Sequence, residues 1–229
     1  MSREGARRPI PLAVTMLIAL FSALVALAIS NGHDASAHGV NHAAATPVVN
    51  QKQLALRNDM RKLWEDHVTW TRLAIISLTT DSPDTDATVG RLLRNQVDIG
   101  NAIKPFYGNA AGGQLSALLR DHILIAADLI AAAKAGDDAA VADAQARWTA
   151  NADDIAAFLA AANPRSWPVA EMKAMLHDHL ALTTQEALAR LHGDWAADVA
   201  AYDKIHVQAL GMADMLSTGI IRQFPARFR

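Results

Sequence analysis

From residue 51 onward, apolar side chains recur every three or four positions, never every second one. Leu56, Met60, Leu63, Trp70 and Ala74 form one stripe; Leu115, Leu118, Leu119, Ile125 and Leu129 form a second; Met172, Met175, Leu176, Leu182 and Leu188 form a third. That period is the signature of amphipathic helix, and no stretch shows strand alternation. Helix-breaking clusters cut the pattern at Asp81-Ser-Pro-Asp84, Gly108 to Gly113, Gly136-Asp137, Asn163-Pro164 and His192-Gly-Asp194. The spacing predicts six helices, over 52–80, 86–107, 113–135, 138–162, 168–192 and 194–221. Connections this short make neighbours antiparallel, so the expected fold is all-α: an up-and-down six-helix bundle.

An internal repeat of about 56 residues underlies the pattern. Its first motif is a pair of apolar residues, a variable residue and Asp-His: Leu63-Trp-Glu-Asp-His67, Leu118-Leu-Arg-Asp-His122 and Met175-Leu-His-Asp-His179. Its second motif falls on the following helix as a polar pair three apart: Asn95 with Asp98, Asn151 with Asp154, and Asp203 with His206. The bundle then reads as three repeated helical hairpins. His67, His122 and His179 lie within the apolar stripes, and Asp203 and His206 share the face of Val199 and Leu210. Folding each hairpin about its turn brings the polar groups to similar height, a layer near the middle of the bundle.

Ahead of the bundle, Arg3, Arg7 and Arg8 precede an uncharged apolar run from Leu12 to Ile29, followed by Ala35-Ser-Ala37. A basic flank, an apolar core and an A-x-A pattern read as an export signal cleaved after Ala37, or as an uncleaved single-helix anchor. Either way the bundle is extracytoplasmic: secreted, periplasmic, or membrane-anchored with the bundle outside. The expected organisation is a signal or anchor at 1–37, a flexible histidine-containing tether at 38–50, and the bundle at 51–229. The basic, aromatic ending from Arg222 to Arg229 reads either as a frayed terminus or as a contact for anionic lipid.

Composition narrows the chemistry. The 229 residues carry a formal charge of -2, which argues against a nucleic-acid partner, and contain no cysteine and nine histidines. There is no nucleophile elbow, phosphate loop or dinucleotide fingerprint, which points away from an enzyme. Buried His and carboxylate groups need either a closed hydrogen-bond network or a cation. The leading expectation is therefore a transition-metal ion (zinc, iron, copper or manganese) held by His67, His122, His179 and His206, with Asp98, Asp154 and Asp203 as carboxylate partners. The alternative is a structural or interaction subunit of a membrane or envelope complex, in which the layer only fixes helix register.

Leu63 to Ile76 (LWEDHVTWTRLAII), Arg91-Leu-Leu-Arg-Asn95, Pro105-Phe-Tyr-Gly108 and the ending Met212-Ala-Asp-Met, Gly219-Ile-Ile and Gln223-Phe-Pro225 carry a resemblance. Over residues 54–228 the chain resembles a family of small, often exported bacterial helical proteins with inconsistent enzyme-like names. The resemblance implies one all-helical domain and no particular activity.

Overall fold

A computed structural model describes residues 50–229; the expected signal or anchor at 1–37 and most of the tether lie outside them. The described chain is all-helical. Helix α1 spans Gln51–Thr80, α2 Thr85–Ala135, α3 Asp138–Ala162, α4 Val169–His192 and α5 Trp195–Gln223, and a short 3-10 turn covers Pro225–Phe228. Among the described residues no helix is long and apolar enough to cross a membrane.

Hydrogen bonding thus delimits five helices where the pattern predicts six, because 86–107 and 113–135 run together as α2. They are not one rod. Gly108, at φ 86° and ψ 170°, breaks the helix in a conformation that side chains rarely adopt. The two limbs then press together at another pair of glycines. A Cβ on Gly100 would lie 2.4 Å from the Gly112 carbonyl oxygen, and one on Gly112 would lie 2.6 Å from the Gly100 oxygen. Along a straight helix those residues would stand roughly 18 Å apart. The contact therefore requires the chain to fold back at Gly108.

The ends of the helices are fixed by local chemistry. Asn50, Asp137 and Asp194 each accept backbone N–H bonds from the first turn of α1, α3 and α5, as short polar side chains do at N-caps. The core runs the length of the bundle, from Met60, Trp64 and Trp167 at one end to Ile75, Ile130 and Ala187 at the other. Trp167, 2% exposed, lies flat against Gly219, where a Cβ would meet its Nε1 at 2.2 Å.

The terminal segment is neither frayed nor free. Phe228 is buried among Phe106 and Phe224, and Arg227 lies over the Phe106 ring and donates to the Pro105 carbonyl. Asn50 Nδ2 donates to the Phe228 carbonyl while its Oδ1 caps α1, so the first described residue is tied to the last turn.

The glycine contact gives a direct test. Gly112→Ala is expected to cost about 1–3 kcal/mol in chemical denaturation, because backbone rather than a flexible side-chain tip blocks the added methyl. Gly113→Ala, which meets nothing within 4 Å, is expected to be neutral or to gain up to about 1 kcal/mol from helix propensity.

Candidate functional site

Three imidazoles meet in the middle of the bundle. His67 on α1, His122 on the second limb of α2 and His179 on α4 are each at most 4% exposed. The His179 ring centroid lies 6.0 Å from that of His67 and 6.3 Å from that of His122. All three positions follow from the helical stripe, since each His takes a core-facing place that a Leu would otherwise fill.

Each ring is held through Nδ1 by a carboxamide 29 residues further on. Asn151 donates from Nδ2 to the Leu118 carbonyl at 3.0 Å, which leaves its Oδ1 to accept from His122 Nδ1 at 2.9 Å. Gln208 donates to the Met175 carbonyl at 2.9 Å and accepts from His179 Nδ1 at 3.1 Å. In both relays the carbonyl belongs to the residue four before the histidine. The amide orientation assigns the proton to Nδ1, so Nε2 carries the lone pair.

The first relay is built differently. Asn95 supplies the carbonyl contact, to Leu63 at 3.0 Å, while Gln96 Nε2 faces His67 Nδ1 at 3.2 Å. Gln96 Nε2 also reaches the Leu92 carbonyl and Asn95 Oδ1, three neighbours for two hydrogens. Its Oε1 is buried without a partner, as are the indole Nε1 atoms of Trp64 and Trp148. Trp64 stands edge-on to His67 at 5.5 Å, and Trp148 packs on His122 at 5.3 Å.

Burial decides the charge. His67 and His122 are pushed down to about 3, first by loss of water and then by the neighbouring imidazoles; His179 is lowered as well, also by burial. All three are neutral at pH 7, the form in which imidazole binds a metal.

The expected carboxylate partners are elsewhere. Asp98, Asp154 and Asp203 are exposed, because each points away from the apolar stripe of its helix. Asp154 borders a shallow surface groove with Asp121, Asp128 and Arg147. His206 is only half-buried and pairs with Glu65 at 2.7 Å on the surface, leaving the layer to Gln208 two residues later. The Asp203–His206 pair is thus out of register with Asn95 and Asn151; Gln208 is their structural counterpart. Gln96 and Gln208 were missed because they fall outside the polar pairs spaced three apart. The constant offset from each His to a side-chain amide was the available clue. As the side chains stand, the described residues contain no group of three or more His, Asp or Glu disposed to hold a metal ion.

A second polar cluster lies one helical turn or more beyond the layer. Arg72 bonds Glu186 at 2.7 Å and Asp198 at 2.8 Å, and Arg190 reaches Asp198 at 3.2 Å. Glu186 and Asp198 are each 1% exposed, and Tyr202 covers Arg72 at 4.8 Å. Burial raises Glu186 to about 7, against the opposing pull of Arg72. Asp66, the residue before His67, pairs with Arg91 at 3.3 Å at the surface.

The layer makes stability pH-dependent with a defined sign. Imidazole titrates near 6.5 in the unfolded chain and near 3 in folded His67 and His122. Between those values the unfolded chain binds more protons, so stability is complete above about 6.5 and falls as pH drops toward 3. Each of these histidines is expected to remove roughly 2 kcal/mol by pH 5. Glu186 acts oppositely, contributing below about 4.5 and losing its contribution as pH rises through about 7. Urea midpoints between pH 7 and 5 check this: the wild type should lose stability steeply, and His122→Leu should reduce the slope by about one proton. A flat profile would contradict neutral burial of the triad.

No family model matches the chain, and no curated protein or solved structure is significantly similar to it.

Proposed function

We propose that the protein is an extracytoplasmic helical bundle that captures a transition-metal ion through His67, His122 and His179. The observation that carries this reading is the set of three neutral imidazoles, each oriented through Nδ1 by an amide that is itself anchored to a backbone carbonyl. Ligating histidines are usually held this way, with Nδ1–H donating and Nε2 free for the metal, as His122 and His179 stand; His67 takes the same tautomer if the Gln96 amide turns to bring its unpartnered Oε1 to Nδ1. Three imidazoles on one ion at about 2.0–2.1 Å bring their ring centroids to roughly 5–5.5 Å, so each adjacent pair would close by about 1 Å or less. With the carboxylates on the surface, the ligand set is nitrogen only, which favours zinc, copper or iron over manganese. A fourth position would be left for water or an anion. Three copies of one helical hairpin account for the matching offsets. Export rests on the amino-terminal basic and apolar pattern.

Elemental analysis of the purified protein is expected to give one metal per three-histidine centre, and His122→Ala combined with His179→Ala to abolish it. Because these histidines stay neutral well below 6.5, metal should be retained at pH 5, where solvent-exposed histidine sites release theirs. Protein that is metal-free as isolated and shows no thermal shift with zinc, copper, iron or manganese would overturn the proposal.

A second reading is favoured by the closure of the relays on themselves: the layer fixes register between Ala- and Leu-rich helices in a structural subunit of a membrane or envelope complex. On that reading His122→Leu alone costs about 1–3 kcal/mol by orphaning Asn151 Oδ1, while His122→Leu with Asn151→Leu recovers most of the loss. Thermal denaturation of the single and double variants separates the two readings, since metal capture predicts that both lose the ion.

A further inference from the structure

Beyond the histidine layer, toward the end marked by Leu78 and Leu191, the core holds a partly open cavity of about 70 Å³ between α1, both limbs of α2, α3 and α4. Five alanines line it: Ala74, Ala126, Ala127, Ala133 and Ala187, with Trp148 in its wall. We propose that this chamber is a binding site for a small uncharged apolar molecule, a hydrocarbon of a few carbons or an atom the size of xenon.

Water is a poor occupant. A buried water needs two to four polar partners. The hydroxyl protons that border the chamber are already spent within their own helices: Thr71 on the His67 carbonyl at 2.8 Å, Thr183 on the His179 carbonyl at 2.9 Å and Thr184 on the Leu180 carbonyl at 2.8 Å. Beyond these the wall's polar side chains are Gln145, at a half-exposed position, and Trp148, whose indole Nε1 is buried without a partner; the surface lining the chamber is nonetheless almost wholly apolar, with too few polar groups to hold a water. Apolar cavities of this kind stay dry and accept apolar guests.

The void is also built to persist. A smaller cavity of about 30 Å³ lies on the other side of the layer, where Met60, Met175 and Met212 can swing to fill it. The larger chamber has no methionine in its wall. Alanines are too short to close it, and the β-branched Ile75, Ile123 and Ile130 are stiff at χ1. Its size sets the ligand class, being below the roughly 150 Å³ of an engineered cavity that takes benzene. The site is independent of the metal reading, because none of the three core histidines forms its wall.

Methyl NMR of the full, folded protein under xenon, and separately with cyclopropane, tests the proposal. Saturable shifts are expected at Ile75, Ile130 and Leu188, with Ile103 beside the smaller cavity unmoved. Ala126→Leu or Ala187→Leu should abolish the response in whichever variant folds, and acetamide should produce none. Shifts that grow linearly and equally throughout the molecule would overturn the proposal and leave only a packing void, as would a saturable response to acetamide or one that survives the filling variants.

Discussion

Burying three imidazoles where water cannot reach them constrains everything else in this bundle. A charged ring there would lose its water and face two others, with Asp178 offsetting only part of this at His179, so each stays neutral and each must find a hydrogen-bond partner. The partner has to be uncharged, to come from the next helical segment, and to be held in one orientation. At His122 and His179 a side-chain amide anchored on the carbonyl one turn before the histidine meets all three conditions; at His67 Asn95 and Gln96 divide the task. The relay therefore fixes both the rotation of each His-bearing segment and its height against its neighbour. In a protein whose other core residues are largely Ala, Leu and Ile, no comparable constraint sets the register.

The layer also divides the interior. On one side the core is aromatic and methionine-rich, with Trp64, Trp167 and Met212 around a small gap. On the other it is lined by alanine and isoleucine around a larger one. At the level of that second compartment the Arg72, Glu186, Asp198 and Arg190 cluster takes up buried charge. Polar chemistry thus occurs in two separate places with an apolar region close by, and the two respond to acid in opposite senses. Protonation is resisted at the imidazoles and favoured at Glu186.

Helix type and boundaries were legible in the sequence because the three-to-four period and the Gly, Pro and Asp breakers report local energetics directly. The inward placement of His67, His122 and His179 was legible for the same reason, as was the pairing of His122 with Asn151. What could not be read was which polar residue on the opposing segment completes each pair. One helical position is about 100° of rotation, so of the polar pairs three apart the amides Asn95 and Asn151 face the layer while Asp98 and Asp154, taken as carboxylate partners, face outward. The copy at Asp203 and His206 failed most clearly, since only the three-dimensional register separates His206 from Gln208. The merging of two predicted helices into α2 has a similar origin. Gly108 was a visible breaker, but the break costs so few residues that helical bonding resumes almost at once on the other limb.

Asn50 joins the beginning of α1 to the closing turn at Phe228, and Lys52 reaches the Arg229 carbonyl at 2.7 Å beside it. The chain preceding Asn50 and the chain's last residue therefore leave the bundle from the same end. A tension applied through the amino-terminal segment would be borne first by these few bonds and by the Phe106, Phe224 and Phe228 rings behind them, loaded one after another and not in parallel. The histidine layer lies several turns further along the line of pull. Mechanically, the bundle closes its amino-terminal end with a clasp of a few bonds, which can yield while the interior keeps its arrangement.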